Sequence, residues 1–155
     1  MIKRQRRLER IVRIAQEYLA ADTAAALLSA ELKVDPAYGY ARGWSARAGS
    51  DFAHNLVATY IIRIYAEFEA GLRDYWQNHL GQPSHPPMYQ LVRHLIPNQR
   101  FSQDCVDNAD DVRVYRNFLV HDFLEEVPSD MLTFTVFDAK KHLCEYFERL
   151  DATWK

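Results

Sequence analysis

Arg116, Asn117 and His121 are the residues of this chain whose types and spacing could do chemistry together. They fall in Tyr115-Arg116-Asn117-Phe118-Leu119-Val120-His121-Asp122, late in a run that reads as helix. Arginine offers a fork for phosphate oxygens, the amide donates and accepts, and imidazole titrates near neutrality. On a helix, Asn117 and His121 are four apart and share a face. Arg116 starts roughly 140° from His121 at about 100° per residue. Only its long side chain, or a second chain, can bring guanidinium and imidazole together. The spacing alone is common, and its plain alternative is an exposed arginine and a histidine at the rim of a core.

Those residues need a scaffold, and the length of 155 residues suits one domain. With 48% apolar residues the chain can bury a core. Helical periodicity fills residues 4–32, through Leu8, Ile11, Val12, Ala15, Tyr18 and Leu19 and on to Leu27, Leu28 and Leu32. Asp22-Thr23 leaves open one long helix or two shorter ones. Residues 33–50 read as a loop in which Arg42 and Arg47 alternate with Tyr38, Tyr40 and Trp44. Such a mixture can stack unpaired bases, and it can equally fold back as a cap on the helices.

The stripe Phe52, Leu56, Tyr60, Ile61, Ile64, Phe68, Leu72, Tyr75 and Trp76 predicts a helix over 51–79, capped by Ser50 or Asp51 and ended by Gly81. Gly71 within it implies close approach of another helix. A short helix over 87–96 stops at Pro97, and residues 98–104 are a linker. Asp104 is expected to cap the motif helix, whose first turns also hold Asp107, Asp110 and Asp111. These aspartates lack the pattern of a calcium loop. A turn follows at 125–130. Residues 132–136 alternate and can be briefly extended, and Thr135 to Asp138 reads as a capping box before the last helix. The expected fold is all-α: a four-helix bundle with an additional short helix.

Composition narrows the function. No run is long and apolar enough to span a membrane. The basic start is followed by Glu9, Arg10, Arg13 and Glu17 rather than an apolar segment, so the reading is a soluble, cytoplasmic protein. Cys105 and Cys144 have no ligand cluster near them and read as reduced thiols. No metal site and no cofactor loop is predicted. Residues 1–13 carry six Lys/Arg against one Glu, on a chain whose net charge is −2. That basic end can meet phosphate or simply be a solvated helix end.

The segment Arg116-Asn117-Phe118-Leu119-Val120-His121, on the penultimate main helix, resembles the Arg-polar-x-x-x-His motif of the HEPN superfamily (higher eukaryotes and prokaryotes nucleotide-binding). An earlier long helix with Phe68-Glu69 and a single closing helix fit the same pattern. The similarity covers about residues 50–152, and residues 1–49 carry no signature of it. It implies a homodimer across the Arg116/His121 helix and metal-independent cleavage of RNA, with Arg116 and His121 catalytic. Asn117, Arg113 and Tyr115 would contact substrate, and Glu69 would support Arg116. A toxin or phage-defence effector, with an antitoxin or regulatory protein as partner, is the corresponding biology. The alternative is a non-catalytic helical module that dimerises and binds nucleotide, RNA or a protein partner.

Overall fold

The computed structural model describes residues 3–95, 102–121 and 125–154. Pro97, Asp122 and most of the linker expected over 98–104 lie outside them. The described chain is all-α, with no strand. Its helices are α1 (Lys3–Val34), α2 (Ala46–Asp74), α3 (Met88–His94), α4 (Gln103–His121) and α5 (Val136–Arg149). A 3-10 turn spans Tyr40–Arg42, and α2 runs on into a π-helical turn, Tyr75–His79.

α1 is a single helix. Asp22-Thr23 does not break it, because the Thr23 hydroxyl donates back to the Leu19 carbonyl 2.9 Å away, one turn earlier. α2 starts five residues before the position read from the sequence. Its cap is Ser45, whose side chain accepts from the Ala48 N–H, and not Ser50 or Asp51. Phe52, within the second turn of this longer helix, is exposed and not part of the core stripe. Gly81 sits at φ 65° just after Leu80 and ends the run. At α4 the cap is Ser102, whose Oγ accepts from the Cys105 N–H at 3.3 Å, so Asp104 falls within the first turn. The capping box at Thr135 and Asp138 forms as expected.

One apolar core draws on all five helices, including Ile11, Ile61, Phe68, Val92, Val112 and Phe147. α1 and α2 run antiparallel. Arg7 and Arg10 meet Glu67, and Arg63 meets Glu17 at 2.6 Å. Most of the basic N-terminus is therefore spent inside the fold. Arg4 donates to the carbonyl of Leu150 at 2.9 Å, at the end of α5, and Lys3 pairs with Asp74. Cys105 and Cys144 are half-buried free thiols, and burial pushes Cys144 up to about 11.

Gly71 sits where α5 crosses α2. A Cβ there would lie 2.5 Å from the Phe147 ring, which is wholly buried and has nowhere to move. Gly71→Ala should therefore destabilise the protein by about 1–3 kcal/mol from overpacking, despite alanine's better helix propensity. Urea denaturation of the two proteins checks this. A more stable alanine variant would mean that the helices are not this close.

The 35–45 connection answers the question left by its arginines and aromatics. Tyr38 and Trp44 meet edge to face at 6.4 Å, and the Arg42 guanidinium lies 3.6 Å over the Tyr38 ring. The Trp44 ring packs against Gly39 and Gly49. These groups fold onto one another, and only Tyr40 of the three aromatics stands well clear.

Candidate functional site

The motif residues are placed by α4, whose buried side, through Val112, Tyr115, Phe118 and Leu119, is fixed against the core. That anchoring turns Tyr115 inward, onto Phe134 at 5.9 Å. Tyr115 is thus a core residue, where the resemblance implied a contact with substrate. His121 is the last residue of the helix and is exposed, with no hydrogen bond or ion pair among the described residues. Asn117 is half-buried one turn before it.

Arg116 lies toward α2. Its guanidinium carbon sits 5.4 Å from the centre of the Tyr65 ring, and Nη1 donates to the Asn117 Oδ1 at 3.1 Å. Its Nε is buried without a hydrogen-bond partner among the described residues. Within one chain Arg116 and His121 are not joined, as their angular offset on the helix requires.

Glu69 does not support Arg116. Its Oε1 accepts from Arg73 Nε at 3.0 Å and Nη2 at 2.8 Å, one turn further along α2. This charged pair is local, an i, i+4 geometry that helices favour. Arg113 is also engaged. Its Nε donates to Asp110 at 2.6 Å, and Arg93 of α3 donates to the other oxygen of the same carboxylate at 3.0 Å.

These contacts outline a band that sequence reading missed. Along α2 run Tyr65, Glu69 and Arg73. Opposite stand Arg93 of α3 and Asp110, Arg113 and Arg116 of α4. Four guanidinium groups face two carboxylates, so the band keeps a net positive charge even with every ion pair formed. The pairing of Glu69 with Arg73 was visible as a four-residue spacing. Asp110 read as a helix-dipole residue, because nothing local announces an arginine arriving from α3.

Burial alone would raise the Asp110 carboxyl, but hydrogen bonds and charge from Arg113 and Arg93 outweigh it and hold it below the usual carboxylate range. A depressed folded-state pKa contributes stability above the unfolded value of about 3.9 and loses it as pH falls through the lower, folded value. Asp110→Asn should therefore be less stable at neutral pH. It should also lose less stability than the parent on acidification below about pH 4. Denaturation midpoints at several acidic pH values check this, and parallel curves would contradict it.

Tyr65 is wholly buried, and its hydroxyl has no hydrogen-bond partner among the described residues. Burial drives its pKa strongly upward and Glu69 adds to this, while Arg113 and Arg116 offset only part. The hydroxyl therefore stays protonated at neutral pH. It is a donor lying in the same neighbourhood as Arg116.

No group of three His, Cys, Asp or Glu gathers to hold a metal ion among the described residues. No helix among them is long and apolar enough to cross a membrane. Comparison of the chain with family models, curated proteins and solved structures finds no match in any of the three.

Proposed function

We propose that the chain is a HEPN-type endoribonuclease, in which α1, α2, α4 and α5 form the up-and-down bundle and α3 is the additional short helix. The observation that carries the reading is the contrast along α4. His121 is open to solvent at the helix end with no hydrogen bond or ion pair among the described residues, while Arg116, five residues earlier, adjoins a band of arginines with surplus positive charge. A histidine serving only as a core or scaffold contact would be buried with its nitrogens satisfied.

The chemistry follows from those groups. The ribose 2′-oxygen attacks the adjacent phosphorus as the bond from phosphorus to the 5′-oxygen breaks. The products are a 2′,3′-cyclic phosphate and a 5′-hydroxyl. His121 takes the proton from the 2′-hydroxyl or gives one to the leaving 5′-oxygen. Arg116 holds the phosphate and balances charge on its non-bridging oxygens. To do so it exchanges its bond to Asn117 for one to phosphate, and the freed Asn117 amide can then orient phosphate or imidazole.

Because one chain keeps Arg116 and His121 apart, the active form is a homodimer with the two α4 helices facing one cleft. Val114, Asn117 and His121 lie at i, i+3 and i+7 on one face of α4, and Val114 is exposed there. An exposed apolar residue beside the polar pair suits such an interface. The non-catalytic alternative, a dimerising module that binds RNA or a protein partner, draws its support from the internal partners of Arg113 and Arg116.

The requirement for a 2′-hydroxyl supplies the test. An RNA oligonucleotide cut by the protein should become resistant when the ribose before the cut is replaced by 2′-deoxyribose. Continued cutting at that bond would exclude the transphosphorylation route.

A further inference from the structure

We propose that a pocket at the far end of the arginine band receives one unpaired base of the bound RNA, a few nucleotides from the bond that is cut. This rests on the ribonuclease reading above. The cavity, of about 380 Å³, is lined by Trp76, His85, Pro86, Gln90, Leu91 and His94.

Its chemistry is that of a base site. Trp76 contributes a half-buried indole whose orientation is fixed, since Nε1 donates to Ser84 at both its carbonyl (3.1 Å) and its hydroxyl (3.2 Å). Leu91, buried, adds apolar lining, and Pro86 adds a stiff one. Polar edges surround this apolar centre. Gln90 uses its amide nitrogen on Tyr89 at 2.9 Å, which leaves its carbonyl oxygen able to accept from a base. His85 is held by Gln77, with Nδ1 2.7 Å from the amide nitrogen, and His94 is exposed at the rim. An aromatic face with a few hydrogen-bonding groups around it is how unpaired bases are held.

Position ties the pocket to the candidate site. Tyr65, Glu69 and Arg73 follow one face of α2 at four-residue steps, and Trp76 stands in the π-helical turn that continues it, eleven positions after Tyr65 and about 16 Å further along at helical rise. Tyr65 lies under Arg116. Arg73 stands between the two ends and donates to the Pro86 carbonyl, in the pocket wall, at 3.3 Å. On α3, Gln90 and His94 line the pocket while Arg93 reaches across to Asp110 of α4. An RNA strand with its scissile phosphate at Arg116 can thus pass Arg113, Arg93 and Arg73 with its backbone and place a later base against Trp76. The pocket therefore sets where the chain cuts, and not how fast the bond breaks.

The test has two arms, both with the full chain. In the first, a random-sequence single-stranded RNA is digested and the cut sites are sequenced. The parent should show a base preference at one position displaced from the cut. Trp76→Ala should erase that preference, Trp76→Phe should retain most of it, and Gln90→Ala should change which base is favoured. In the second arm, affinity for an uncleavable oligonucleotide carrying 2′-deoxyribose at the cut is measured. Loss of one stacked base should weaken binding roughly tenfold in Trp76→Ala. Gln90→Ala touches little of the core and stands in if Trp76→Ala fails to fold. Cutting with unaltered preference and affinity in these variants overturns the pocket and leaves the ribonuclease intact. Trp76-dependent binding without any cutting upholds the pocket as an RNA site and removes the ribonuclease. Absence of binding to any single-stranded RNA overturns both.

Discussion

His121→Ala should slow the proposed RNA cleavage by about 10²–10⁴-fold without lowering stability, because it would remove the proton-transfer group while the side chain is exposed and makes no hydrogen bond or ion pair among the described residues. Arg116→Ala should cost activity on a similar scale. A phosphate held by a charged, hydrogen-bonding group gains most from it in the transition state. Arg116→Lys should recover little, since an ammonium cannot make the two-pronged contact. The geometry adds a sharper expectation. Arg116 and His121 do not meet within one chain, so equal mixing of the two inactive variants, with subunit exchange, should restore part of the activity. A heterodimer would contain one cleft side with an intact arginine and the other with an intact histidine. No recovery on mixing, with exchange demonstrated, would mean that both groups act from the same chain.

The second large effect concerns a residue far from this chemistry. Trp154 is wholly buried, the largest side chain that is so. Its ring meets Tyr75 edge to face at 5.3 Å and Phe147 at 6.2 Å, and its carbonyl accepts from the Lys3 N–H at 3.1 Å. The segment after α5 therefore closes the core and ties the start of α1 to it. Trp154→Ala should destabilise the protein by about 3–5 kcal/mol, a cost typical of emptying such a site. Because total stabilities run at only about 5–15 kcal/mol, that variant will be marginal. Its thermal and urea midpoints, against those of Trp44→Ala in the outer connection, give the comparison. Equal small losses for the two would mean that Trp154 is not in the core.

The helices were legible because their signals are local. The apolar stripe from Leu56 to Tyr75, the capping box at Thr135 and the stop at Gly81 each depend on residues within a turn or two. The implied close approach at Gly71 was also legible, although not its partner Phe147. What sequence reading missed depends on contacts between distant segments. The basic N-terminus could have served phosphate, but Glu67, Asp74 and the α5 carbonyls take up much of it. Tyr115 looked like a neighbour of the motif, and its inward turn follows from which side of α4 the core occupies. Glu69 reads as a support for Arg116, yet Arg73 lies one turn along the same helix and reaches it without crossing to another. Trp154 follows a four-residue tail with no periodicity, and only the fold shows it buried.

The central claim is that Arg116 and His121 cleave RNA by transphosphorylation. It is tested most directly by incubating purified protein with mixed-sequence single-stranded RNA in EDTA, beside His121→Ala and Arg116→Ala, and identifying the product ends. Cleavage should survive chelation, leave 2′,3′-cyclic phosphate and 5′-hydroxyl ends, and disappear in both variants. Cleavage of equal extent in the variants, or an intact parental dimer that leaves the RNA whole, would contradict it.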